Sequence, residues 1–423
     1  MGEQLLQFIW KFGLFDKDSA RTTTGERIEV LAAGVQNADA GPDFSNARLR
    51  VGATLWVGNV EVHMLASDWR RHAHQHDKAY DSVILHVVQR NDCEPVCTSQ
   101  GVPIPVYEMR YSPALEERYR RLMASQEFVP CRPLLEGVES FKLRMLLTRM
   151  AVERMEQRCA RVALLLEDTR GDWEMVFQRM LFRAFGFGAN ADPFERLAQS
   201  IPAHCIAKHR SALPQVEALL LGQAGLLGDA PADDYHVRLQ QEYALLRTKF
   251  SLTPMEAHVW KFLRTRPVNF PTIRMAQLAS LLCRQSSLME SVLKVASLRD
   301  CLAIFAVSPS EYWDTRYAPG SPSPRRSKAL GEKSVERIAA NFVAPMLFAY
   351  GKHRAQEQLC EVAVELLEQV APERNAKVDG WRTMGVTPQN MLESQALLQL
   401  KNEYCDRKRC LHCTIGKQIL NNP

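Results

Sequence analysis

The sequence predicts an α+β protein with a mixed α/β domain over residues 1–125. A larger all-helical domain follows over 126–400, and a cysteine-rich segment over 401–423. Three observations lead there. In the first part, apolar residues come in short β-branched or aromatic runs punctuated by glycine. Beyond it they recur at helical spacing through long stretches rich in Leu, Ala, Glu and Arg. At the end of the chain, three cysteines fall within nine residues.

The elements follow in order. The opening MGEQLLQFIWKFGLF is read as an amphipathic helix, because Leu5, Leu6, Ile9 and Phe12 recur at helical spacing. It lacks the basic start, continuous apolar run and small-residue cleavage site of a signal peptide. Strands are expected over 27–33, 47–51, 54–65, 82–88 and 104–109, with Gly34, Gly41, Gly52, Gly58 and Gly101 between or within them. Helices are expected over 113–127, 138–168, 172–187, 192–200, 212–222, 232–249, 253–264, 271–285, 288–298, 332–350, 353–371 and 387–402. Start signals include Asp172 with Glu174, Asp192 with Pro193, and Thr253 with Pro254. The stretch 316–328, RYAPGSPSPRRSK, reads as a solvated basic loop.

Apolar residues make up 46% of the 423 and charged residues 24%, the balance of a globular protein with a sizeable core. A net charge of +5 permits nucleic-acid binding without arguing for it, so local arginine clusters must carry that case. No apolar stretch reaches about eighteen residues, so neither a transmembrane helix nor a membrane partner is expected. The reading is cytoplasmic. In a reducing compartment the eleven cysteines favour metal or cluster ligation over disulfides.

Three features crowd the first domain: Gly41-Pro42-Asp43-Phe44, Gly58-Asn59-Val60-Glu61-Val62-His63, and a stretch carrying His72, His74, His76 and Asp77. Residues i and i+2 of a strand share a face, so Glu61 and His63 should project together while Val60 and Val62 face the other layer. A carboxylate and an imidazole near the carboxylate of Asp43 can hold Mg²⁺ or Mn²⁺. Such an ion polarises a phosphoryl oxygen and acidifies bound water. Each motif alone has a blander alternative. Gly-Pro-Asp is common turn chemistry, and Glu and His alternating with Val also suit the wet face of an edge strand.

Taken together, Pro42-Asp43, a gap of seventeen residues and then Glu61-Val62-His63 resemble the Pro-Asp…(Asp/Glu)-x-Lys signature of the PD-(D/E)XK nuclease superfamily. The resemblance covers about a quarter of the chain. It implies a restriction-endonuclease-like fold in which a leading helix precedes a mixed sheet. Asp43 and Glu61 would bind the metal, and His63 would stand where the family's lysine orients or activates water. It also implies a further acid, for which Glu29 is the candidate, with Glu26 competing. Asp77 and His86 are second-tier site residues. His86 sits in SVILHVV, a run suited to a buried strand, and a core histidine is the alternative there. The alternating histidines at 72, 74 and 76 suit either a polar loop or a shared metal.

Cys405, Cys410 and Cys413 have the C-x4-C-x2-C spacing of a metal-binding turn, and Cys131 is the first choice for a fourth ligand. The set is similar to the cysteines that clasp iron–sulfur nucleases, which implies a 4Fe–4S cluster. Four thiolates suit zinc equally. In the helical part, Arg264, Arg266 and Arg274 surround a proline-bounded turn that opens a helix and form a candidate phosphate site, with interhelical salt bridges as the alternative.

The segments AGPDF (40–44), GNVEVH (58–63), DKAYDSVILHVV (77–88), RPVNFPTIRMAQLA (266–279) and APMLFAYG (344–351), with the terminal cysteines, are similar over nearly the full length to a bacterial family without an assigned activity. The functional expectation is therefore a metal-dependent, nuclease-like protein acting on DNA or RNA. The alternatives are a non-catalytic nucleic-acid-binding module and a zinc or iron–sulfur scaffold.

Overall fold

The computed structural model describes residues 2–37, 39–137, 140–228, 230, 232–263 and 265–421. The chain divides into two units, one formed by residues 1–146 with 400–423 and the other by 147–399. The cysteine-rich end thus groups with the α/β region.

The first unit begins with helix α1 (Glu3–Phe12), which buries Leu5, Leu6, Phe8, Ile9 and Trp10. It stops at Gly13, whose φ of 61° closes the helix in the left-handed conformation that glycine adopts without strain. Six strands form one sheet: β1 (Ile28–Ala32), β2 (Val35–Gln36), β3 (Phe44–Val51), β4 (Thr54–Leu65), β5 (Val83–Arg90) and β6 (Val106–Glu108). Their order is β1-β3-β4-β5-β6, with β2 paired to the far end of β3. β3 runs antiparallel to both β1 and β4, and β4, β5 and β6 are mutually parallel. Every expected strand is present, while the two-residue β2 was not anticipated.

The parallel pairing of β4 and β5 needs a crossover. Residues 66–82 supply it through helix α2 (Asp68–Arg71) and two single 3₁₀ turns. Gly58 makes the close approach possible, because a Cβ there would meet the Ile84 side chain at 2.4 Å and the Ser82 carbonyl at 2.7 Å. β5 is buried along Val83–Val88, as a central parallel strand should be. Helix α3 (Pro113–Ala124) starts on the Ser112 side chain, which accepts from the amide of Ala114.

The second unit is helical. Asp172 caps its Trp173–Phe185 helix by accepting from Met175 at 3.0 Å. Three expectations need correction. The helix expected over 253–264 is replaced, in its described part, by extended chain with one 3₁₀ turn, Ala257–Val259. There Met255 donates to the Gln223 carbonyl at 2.7 Å, and the Asn190 side chain takes both the amide and the carbonyl of Lys261. Tertiary partners thus claim backbone groups that a helix would have used. The helix expected over 332–350 contains a π-turn at Ala339–Val343. Finally, the basic loop is partly ordered as a two-stranded ribbon, Arg316–Ala318 with Ser321–Pro322. Its Lys328 is buried, donating to the carbonyls of Asp314 and Arg326. No helix among the described residues is long and apolar enough to cross a membrane.

Candidate metal centre

Asp43 is placed by a turn that Asn37 closes. The Asn37 amide donates to the Asp43 carbonyl at 2.7 Å, and its side chain donates to the carbonyls of Ala40 and Pro42. Gly41, at φ 105°, takes the corner. Phe44 then pairs with Val60, which brings Asp43 alongside Glu61. The two acids interlock. The amide of Asp43 donates to Glu61 Oε2 at 3.0 Å, the amide of Val62 donates to Asp43 Oδ2 at 3.0 Å, and Gln7 on α1 donates to Asp43 Oδ1 at 2.8 Å.

Glu61 and His63 share a face of β4, as the i, i+2 rule requires, and both are buried. His63 Nε2 lies 3.3 Å from Glu61 Oε1 and 3.8 Å from Glu3 Oε1. His86, in register with Glu61 on β5, has its Nε2 2.9 Å from His63 Nδ1. Asp43, Glu61, His63 and His86 are therefore brought together.

Two more histidines join from the crossover. α2 ends at His72, and the chain reverses through Ala73 at φ 59° before His74 opens a 3₁₀ turn. That left-handed residue lets both imidazoles reach His63. His72 Nδ1 is 3.2 Å from His63 Nε2, and His74 Nε2 is 3.5 Å from Glu61 Oε1. Tyr80 stacks on His74 with ring centroids 3.7 Å apart, and Trp69 packs edgewise against it. A ligand atom from each of His63, His72 and His74 lies within 4.8 Å of the others, the spacing of a metal-binding group.

Burial sets the electrostatics. It pushes the Glu61 carboxyl up to about 8, with the charges of Asp43 and Glu3 adding to it and the Asp43 amide opposing. Glu3 is raised to about 7 by burial and by the nearby charges of Asp43 and Asp68. Asp43 is also raised by burial, against the hydrogen bonds from Val62 and Gln7. The same burial, reinforced by neighbouring imidazoles, lowers His63 to about 2, His86 to about 3 and His74 to about 4. These histidines are neutral at physiological pH, the state that binds metals.

Other predicted residues lie elsewhere. Glu29 sits on β1 in an exposed ion pair with Arg50 at 3.5 Å. Asp77 is exposed and caps a 3₁₀ turn by accepting from Ala79. Sequence reasoning overlooked Glu3 and Gln7 of the leading helix, and it left His72 and His74 between a polar loop and a shared metal. The histidine spacing was the available signal, but the turn at Ala73 that focuses it was not legible.

The four cysteines share one neighbourhood. Burial pushes the Cys131 thiol up to about 12, with Cys413 and Cys410 adding to the effect. Cys405 is raised by burial and then by Cys131, Cys413 and Cys410. Cys410 rises to about 11 from burial and Cys413. Gly416 holds the Cys410 turn tightly, since a Cβ there would lie 2.1 Å from the Cys410 carbonyl oxygen.

Among the predicted arginines, Arg264 lies outside the described residues and Arg266 is exposed. The expectation that Arg274 meets phosphate is corrected. It is 5% exposed, donates to Gln277 and Ser334, and lies 4.1 Å over the Phe187 ring. A different set, Arg158, Arg161, Arg183 and Arg337 with Asn341, lines a cleft of about 490 Å³ in the helical unit. Glu195 pairs with Arg161 and Arg183, whereas Arg158 donates to the neutral acceptors Ala340, Asn341 and Gln395.

No curated protein and no solved structure matches this chain. A family model does, over residues 3–376, and the chain belongs to that family, described as a protein of unknown function, DUF2851.

Proposed function

We propose that this protein is a metal-dependent hydrolase of nucleic-acid phosphodiesters, with its site at Asp43, Glu61 and His63. The observation that carries the reading is that Glu61 Oε1 lies 3.3 Å from His63 Nε2, while Asp43 is tied to the same strand by its backbone amide on Glu61 Oε2 and its carboxylate on the amide of Val62. A helix ahead of a mixed sheet, an acid where one strand begins and a second acid within the next are what the PD-(D/E)XK resemblance implies. His63 occupies the lysine position.

The donor set of two carboxylates and neutral imidazoles suits a divalent ion, which when bound polarises a phosphoryl oxygen and acidifies water. The remaining work falls to the chain. Burial raises the Glu61 carboxyl in the metal-free protein; a bound cation would favour its charged form and leave a carboxylate placed to accept a proton from water. Asp43 orients Glu61 through its own amide. His63 is held in place through its Nδ1 by His86.

Cys131, Cys405, Cys410 and Cys413 would hold a 4Fe–4S cluster or zinc, their mutual nearness supporting a common centre. In the helical unit, exposed Arg266 and the arginine-lined cleft offer cations to phosphates.

The test is an assay of the full-length protein on single- and double-stranded DNA and RNA with Mn²⁺ or Mg²⁺. Cleavage should appear and be abolished in Asp43→Ala and Glu61→Ala that keep their circular dichroism. Cleavage indifferent to Asp43→Ala, or no cleavage on any substrate, overturns the proposal. Salt-dependent binding without turnover would point instead to a binding module.

A further inference from the structure

The histidines around Glu61 carry a sharper inference, which rests on the reading that this cluster holds an ion but not on the hydrolysis. We propose that His63, His72 and His74 form a three-histidine transition-metal site that selects zinc or a metal of similar preference over magnesium.

The spacing is the first argument. An ion bound tetrahedrally at metal–nitrogen distances of about 2.0–2.1 Å sets its ligand atoms about 3.3 Å apart. His72 Nδ1 and His63 Nε2 are 3.2 Å apart. Glu61 Oε1 stands 3.3 Å from His63 Nε2 and 3.5 Å from His74 Nε2, so it borders the same centre.

The second argument is the proton count. Neutral His63 has one ring proton. If it sits on Nδ1 and serves His86 Nε2 at 2.9 Å, Nε2 turns a bare lone pair toward His72 and Glu61. If it sits on Nε2, it can satisfy only one of those neighbours. Buried His74 Nε2 makes no hydrogen bond. A cation at the centre would take the lone pairs of His63 Nε2 and His74 Nε2, together with that of His72 Nδ1 when the His72 proton sits on Nε2, and it would fix the His63 tautomer whose Nδ1–H donates to His86.

Ligand type decides the metal. Imidazole suits zinc, copper, iron and nickel, whereas magnesium takes oxygen ligands. His72 is exposed while His63 and His74 are buried, so the site opens to solvent on the His72 side. A three-histidine ion there would leave a fourth position open to water, with the Glu61 carboxyl beside it.

The experiment is a calorimetric titration of chelator-treated full-length protein with Zn²⁺ and, separately, Mg²⁺, together with zinc stoichiometry of the variants. We expect zinc to bind at least about tenfold more tightly than magnesium, in line with the imidazole preference. His72→Ala and His74→Ala should each lose one equivalent of zinc, and Asp77→Ala should lose none. Because the cysteines can also bind zinc, only the difference between wild type and variant is counted. If His74→Ala does not fold, exposed His72→Ala and His72→Asn decide the matter. Unchanged stoichiometry and affinity in the His72 variants, or a preference for magnesium, overturns the inference. Zinc binding lost in His72→Ala with no cleavage of any nucleic acid leaves this inference standing and removes the hydrolase. Magnesium-supported cleavage indifferent to His72→Ala does the reverse.

Discussion

Glu61→Gln removes a buried charge while keeping the side chain's shape. The carboxyl is 5% exposed, and its Oε2 accepts from the Asp43 amide. A glutamine carbonyl can accept that same bond, and its amide can donate toward His63 or His74, so no new orphan is forced. In the metal-free protein the wild-type carboxyl is raised from 4.5 to about 8, chiefly by burial. A group raised on folding favours the folded state most below its unfolded pKa, and that contribution is lost as pH rises through the folded value. Wild type should therefore match Glu61→Gln near pH 4 and weaken against it as pH rises. At about 1.4 kcal/mol per pH unit over the span from 4.5 to about 8, the variant should be more stable by roughly 5 kcal/mol above pH 8. His63, His74 and His86 are shifted down, so their contribution is present above their unfolded value near 6.5 and lost as pH falls. It applies to both proteins and cancels in the difference. The assay is urea unfolding of chelator-treated protein between pH 4 and 9. A gap that does not change with pH, or a wild type more stable than the variant at the alkaline end, refutes the reasoning. Restoring a metal should narrow the gap, because an ion that binds only the folded state adds stability in proportion to its affinity.

Two further outcomes test the local geometry. Ala73→Gly relieves a non-glycine residue at φ 59°, a strain of about 1–2 kcal/mol, against an unfolded-state cost of about 0.4–1 kcal/mol. Thermal unfolding should show stability unchanged or up to about 1.6 kcal/mol higher, with metal affinity retained; a clear loss would mean the turn is held some other way. Gly416→Ala drives a methyl into the Cys410 carbonyl, 2.1 Å away, and should cost about 1–3 kcal/mol along with the metal content of the cysteine group. Wild-type stability and metal content in that variant would contradict the packing described.

The sequence by itself determined what depends on neighbours along the chain. The period-2 runs marked the strands, and β4 placed Glu61 and His63 on one face because side chains alternate. The helical periodicity of the second half is present too, interrupted where tertiary hydrogen bonds around Met255 and Lys261 displaced a helix. The spacing of Asp43 and Glu61 suggested a shared site, and antiparallel pairing through Phe44 and Val60 joins them. What only the tertiary structure decided is which distant groups complete that site. Glu3 and Gln7 arrive from a helix whose sequence shows only its apolar face, and His86 arrives through parallel pairing across a crossover. His72 and His74 depend on one left-handed residue, a conformation that alanine disfavours and that its surroundings must impose. The same distinction explains Arg274, polar in the sequence and yet buried against Phe187. Periodicity records which face of an element is apolar, whereas burial and convergence follow from what packs on that face.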